Sequence, residues 1–320
     1  MKLLLVLITL FSTVVFAKPL VQVEISKVHG LVSFVHSLGG LPYSVKSYKK
    51  IYLKKYPNKN FSKLHKNLSK IYRTKIYNLI KKKSTFARSI KDLQERILRE
   101  KSSISKAELR EYFRYLKSYE ASYHELIYDD SLAKLQSVKL KIEALMIKTN
   151  YDKLIQRAAF FYGVKKEDIP TLYLSLYPIT QGNNTLAFML DNVESIGVLV
   201  HKKKLNLEWL LSATIFHEIV HTFYKQNYDE IKQHLYRNKF IKYKQQKVFN
   251  ESLATAFGAG WAFYQLTHLQ SNGRWYNNKV YDKTAKKIYP LLSKYMKNSR
   301  KMDNEFVKKV QVIYKKNLKI

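Results

Sequence analysis

No cysteine occurs among the 320 residues, which excludes disulfide frameworks, thiolate metal sites, iron–sulfur clusters and a cysteine nucleophile. Acidic residues are also scarce. Only 24 Asp and Glu stand against 58 Lys and Arg, a formal net charge of +34 and a sequence pI near 9.9, so acidic partners or surfaces are expected. Codon bias in an AT-rich genome would enrich Lys, Asn, Ile and Tyr, but it would equally enrich Glu and does not explain this shortage. Beyond residue 16 no uninterrupted apolar run reaches the length of a membrane span. What is present is a 46% apolar composition, enough to bury the core of one or two domains.

The chain begins Met1-Lys2, followed by the apolar stretch Leu3 to Phe16 and then Ala17-Lys18. This reads as a cleavable secretory signal over residues 1–17, with an uncleaved N-terminal anchor as the alternative. An exported protein, periplasmic or extracellular and bacterial, is the expectation. The sequon Asn250-Glu251-Ser252 supports a bacterial setting, because a glycan there would crowd a candidate metal ligand.

Charge is distributed unevenly. Residues 41–90 carry 15 more basic than acidic residues, residues 161–230 have a balance of −2, and residues 231–320 one of +16. The first half, residues 18–150, reads as a basic helical region. Ser105 and Glu108 have capping-box form ahead of Leu109, Phe113, Leu116 and Tyr119, a helix expected to run to Asp129. A second is expected over Ser131–Lys148, and a third from Tyr151 to a left-handed cap at Gly163. After Pro170 the period changes to two. Thr171–Tyr177 alternates strictly and predicts a strand, Pro178 and Gln181–Asn184 a turn, and Leu186–Leu190 and Ile196–Val200 two further short strands. Helical spacing resumes from Leu207 through Tyr224.

That helix contains His217-Glu218-Ile219-Val220-His221. Two histidines four apart project from one helical face, close enough to bind one Zn²⁺ at about 2.0–2.1 Å. Glu218, beside the first, can serve as general base toward a metal-activated water. With nine His in the chain, chance alone gives such a five-residue match with a probability of roughly one in a hundred; its uncharged flanks and its place in the least basic segment argue further against chance. A catalytic zinc needs a third protein ligand, and Asp229, Glu230, His234, Glu251 and His268 lie near enough in sequence. Glu251 stands out, since it shares a helical face with Ala254, Thr255, Gly258 and Ala262, small residues that let one helix approach another closely. An ordinary buried acid paired with Lys or Arg is the alternative.

Over about residues 170–261 the sequence resembles the gluzincin metallopeptidases, in which a second helix supplies a Glu ligand to the HExxH site. The resemblance implies an α+β, predominantly helical protein whose zincin-like catalytic domain, residues 151–320, has a small sheet before the HExxH helix. It implies one zinc held by His217, His221 and Glu251, with Glu218 as general base in peptide hydrolysis. Twenty-nine residues separate His221 from Glu251. The metzincin pattern fails, because Tyr224 and Asn227 stand where Gly and a third His are needed. An edge strand that pairs with substrate backbone would fall at Asn184–Met189, and His268, Tyr276 and Tyr281 are open candidates for oxyanion stabilisation.

Between Ser47 and Lys83 lysines interleave with tyrosines. Lys49, Lys50, Lys54, Lys55, Lys81, Lys82 and Lys83 make the region a candidate binder of anionic envelope polymers or lipid head groups; nucleic acid is the counter-charge only for an intracellular chain. A non-enzymatic basic envelope-binding protein is therefore the alternative to a peptidase acting on a peptide or protein substrate.

Overall fold

In a computed structural model the residues described are 19–42, 44–100, 104–180 and 186–318; the signal segment expected over residues 1–17 lies outside them. Four strands form one mixed sheet: β1 (Val21–Ile25), β2 (Leu172–Ile179), β3 (Leu186–Leu190) and β4 (Val193–Leu199). Their order is β1-β2-β4-β3, with β1 and β4 parallel to β2 and β3 antiparallel to β4 at the edge. The rest is predominantly helical, so the chain is α+β. No helix among the described residues is long and apolar enough to cross a membrane.

Alternation in β2 and β4 sorts their side chains between two buried clusters. Leu172, Leu174, Leu176, Ile196 and Val198 face a core that also holds Val21, Val23, the helix at 129–148 and the HExxH helix. Tyr177, Ile179 and Leu199 belong to a second core, built from the helices between residues 27 and 128. The first core thus draws residues from both sides of position 150. The β1 strand extends the sheet beyond the three strands expected after Pro170. Its Val21-Gln22-Val23-Glu24-Ile25 alternation pairs residue by residue with Leu172–Leu176.

Pro178 does not end β2; the strand continues to Ile179. Pairing with β1 stops at Ile25–Leu176, so the edge of β2 that Pro178 faces has no strand requiring its missing N–H. The Pro178 carbonyl on that edge accepts from the buried Tyr48 hydroxyl instead. The helix expected to break near Asp129 likewise runs on. Lys106–Tyr123 and Asp129–Lys148 are joined by a π-wound turn, His124–Tyr128. That turn resets the apolar stripe as the helix passes from one core to the other, which in sequence resembles an interruption. The Ser105–Glu108 capping box and the left-handed Gly163 (φ 79°) are as expected.

Candidate metal centre

The HExxH residues lie on a continuous helix over 207–226. Asn206 caps it, its side chain accepting from Trp209 N, and Leu210–Phe216 is π-wound immediately before His217. Tyr151 supports that stretch by donating to the Leu211 carbonyl at 2.8 Å. A second helix begins at Tyr243, carries Glu251, and is π-wound over Ala256–Ala262. The two π-wound stretches pack together at Gly258. A Cβ built there would lie 2.7 Å from the Ser212 carbonyl oxygen and 3.1 Å from His217 Cβ, a proximity that only glycine allows. Phe216, Phe257 and Trp261 fill the space behind this contact.

The approach brings Glu251 to the histidines. His217 Nε2 and His221 Nε2 are 3.1 Å apart, and Glu251 Oε2 is 3.7 Å from the first and 3.8 Å from the second. Bonds of 2.0–2.1 Å to a tetrahedral zinc would separate ligand atoms by about 3.3 Å, so the three donors fit one ion. Among the described residues no other group of three metal-binding side chains converges. The other third-ligand candidates lie elsewhere: Asp229 and Glu230 are exposed at the start of the next helix, with Glu230 accepting from Asn227, His234 is on that same helix, and His268 is an exposed left-handed cap.

Neighbours tune the donors. Asn250 Oδ1 lies 3.1 Å from His221 Nδ1; with that nitrogen donating, Nε2 keeps its lone pair toward the cluster. Burial and the neighbouring His217 hold the His221 imidazole below its ordinary pKa, against the pull of Glu218 and Glu251, which favours the neutral form a metal requires. Burial pushes the Glu251 carboxyl up, but its contacts with His217, His221 and Tyr276 outweigh it and leave the carboxyl below its usual range. Tyr276 donates to Glu251 Oε2 at 3.2 Å and stacks on the His217 ring at 5.5 Å. Of the three oxyanion candidates it alone touches the cluster; Tyr281 packs against Tyr276, and His268 lies against Tyr264.

Glu218 is half-buried on the same helix as the two histidines. Burial raises its carboxyl pKa, the His221 imidazole opposes the rise, and Glu251 adds to it. On β4 stands Glu194, only 3% exposed, with neither carboxylate oxygen hydrogen-bonded. Burial, reinforced by Glu218, raises the Glu194 pKa well above its ordinary value. Two residues here go beyond the sequence reading. Asn250 entered it only as a sequon, although it directly precedes the candidate ligand. Glu194 lay before the expected strand start at Ile196; the signal was a lone acid at an inward position of the alternation.

The β3–β4 hairpin is tied to the HExxH helix. Thr222 Oγ1 donates to the Asp191 carbonyl at 2.9 Å, and Asp191 accepts from both Lys225 (2.8 Å) and Lys82 (2.7 Å). Asn184 and Thr185 of the expected edge strand lie outside the described residues, while Leu186–Leu190 forms the edge. The seven lysines of the basic region differ in setting. Lys55, Lys82 and Lys83 are ion-paired with Glu125, Asp191 and Glu100. Lys81 lines a small cavity with His29 and His36, and burial lowers its pKa to about 8. Lys49 lies over the Phe61 ring, and Lys50 and Lys54 are exposed.

Comparison of the chain with protein-family models, with curated proteins and with solved structures finds no match.

Proposed function

We propose that the chain is an exported zinc metallopeptidase of the zincin type, with a substrate of peptide or protein nature. The observation that carries this is the convergence of His217, His221 and Glu251 to within 4.8 Å, with Glu218 beside them on the same helix. Zinc, when bound, supplies Lewis-acid activation of water near neutral pH. His217, His221 and Glu251 hold it, and Asn250 fixes the His221 tautomer. Glu218 takes the proton of the attacking water and afterwards returns it to the leaving amine. Tyr276 orients Glu251. The outer edge of β3 offers backbone groups for an extended substrate. A purely structural zinc site has no need of a base beside its ligands, which favours a peptidase over a non-enzymatic basic binder.

Replacing Glu218 by Gln tests the reading, since Gln keeps the shape and cannot accept the proton. The variant is expected to keep its fold and zinc but to lose at least about 10²-fold in hydrolysis of any peptide the native protein cleaves. Equal activity removes Glu218 from the reaction. Failure of the zinc-loaded native protein to cleave any member of a broad peptide library refutes the peptidase reading.

A further inference from the structure

Beside the cluster opens a cleft of about 630 Å³, a volume that accommodates a short peptide segment. His217, Glu218 and Tyr276 are among its lining residues. The loop after β4 contributes Lys202 and Lys204 to its lining, the following helix Trp209, and a later loop Arg274 and Trp275. Glu218 is the only acid among the lining residues.

General basicity does not account for this placement. Residues 161–230 have a net balance of −2 and only six lysines, yet three of the six are consecutive at Lys202-Lys203-Lys204. Arg274 answers them from a loop some seventy residues later in the chain. Its own loop holds it in place, Nε donating to the Tyr276 carbonyl at 2.9 Å and a terminal nitrogen to that of Asn277. That leaves three of its five N–H donors for other groups. Cationic side chains from two separate loops lining one partly enclosed cleft concentrate positive potential where a bound peptide would lie.

We propose that this cleft selects substrates by a carboxylate, held between Lys204 and Arg274 next to the bond presented to the cluster. The assignment of the bound species as a peptide rests on the peptidase reading above. The carboxylate has two possible sources, an acidic side chain or a free C-terminus. The first means cleavage within chains beside Asp or Glu, and the second means removal of C-terminal residues.

The test is binding of three matched pentapeptides to the Glu218→Gln protein loaded with zinc, followed by tryptophan fluorescence, since Trp209 and Trp275 of the three tryptophans line the cleft. One is a peptide amide carrying a single Glu, the second its Gln counterpart, and the third the Gln peptide with a free C-terminal carboxylate. The expected result is at least about tenfold tighter binding of the Glu amide or of the free acid than of the Gln amide; which of the two is preferred identifies the source. The preference should vanish when Lys204→Glu and Arg274→Glu are added, with zinc content and circular dichroism unchanged. It should survive Lys50→Glu with Lys54→Glu, which make the same charge change outside the cleft. Equal binding of all three peptides overturns the proposal, as does a preference lost equally in both charge-reversed proteins. Selective carboxylate binding by a zinc-loaded native protein that cleaves none of the peptides overturns the peptidase reading and leaves the carboxylate site standing. Cleavage of all three with equal kcat/KM does the reverse.

Discussion

Replacing Gly258 by Ala introduces one methyl group where the helix of His217 and His221 touches the helix of Glu251. Its carbon would stand 2.7 Å from the Ser212 carbonyl oxygen, against an ordinary contact beginning near 3.4 Å, so the helices must part by up to 0.7 Å. The opposing atoms are backbone and the His217 Cβ, at 3.1 Å, and neither can swing aside as a side-chain tip would. In an uncrowded helix the same change stabilises by up to about 1 kcal/mol. Here overpacking of a filled core costs about 1–3 kcal/mol, and a net loss of roughly 1 kcal/mol is expected. The displacement also exceeds the tolerance of about 0.2 Å on zinc bond lengths, so zinc affinity should fall at least about tenfold. Urea unfolding and competitive zinc titration measure both quantities. Gly273→Ala is the control, because a Cβ there meets nothing within 4 Å. A Gly258→Ala protein as stable as the native one and with equal zinc affinity would refute the close approach of these helices.

The same framework makes further predictions. Asn250→Ala removes the partner of His221 Nδ1 and should weaken zinc binding by about 10–100-fold, as loss of an outer-shell hydrogen bond typically does; unchanged affinity in the chelator competition would show that the imidazole is oriented by other means. Asp191, lowered to about 2 by its bonds to Lys225 and then Lys82, contributes stability that is present above its unfolded pKa near 4 and lost as pH falls through 2. Urea midpoints of native and Asp191→Asn proteins should therefore differ above pH 4 and converge toward pH 2, and a difference independent of pH in that window would remove Asp191 as the titrating group. Among the basic-region lysines, Lys81→Glu should destabilise the fold through its half-buried setting, whereas Lys50→Glu and Lys54→Glu should leave the urea midpoint unchanged; equal effects at the three positions would contradict the partial burial of Lys81.

The cluster was legible because it depends on local periodicity. His217 and His221 share a helical face by spacing alone, and the small residues following Glu251 mark a helix that can approach another. Gly258 is the residue at which that approach occurs. Less visible were features that depend on distant partners. The alternation Val21-Gln22-Val23-Glu24-Ile25 is a strand pattern, but nothing local ties it to Leu172–Leu176. Pro178 carries a turn signal that is overridden because the neighbouring strand ends first and leaves that edge without a ladder to break. The π-wound turn at His124–Tyr128 shifts the apolar stripe and so resembles a break between helices. The lysine-rich stretch reads as one uniform surface, yet its members divide among ion pairs, a small cavity and solvent. Spacing does not record which acids the fold brings to them.

The central claim is that His217, His221 and Glu251 form one metal site, and elemental analysis of the purified full-length protein tests it most directly. After equilibration with limiting zinc and removal of the excess, the native protein should retain about one Zn²⁺ per chain. His217→Ala, His221→Ala and Glu251→Ala should each retain far less, with helical content unchanged by circular dichroism. Glu218→Gln should retain as much as the native protein. Equal zinc in the native and His221→Ala proteins, or no zinc in the native protein, would contradict the account.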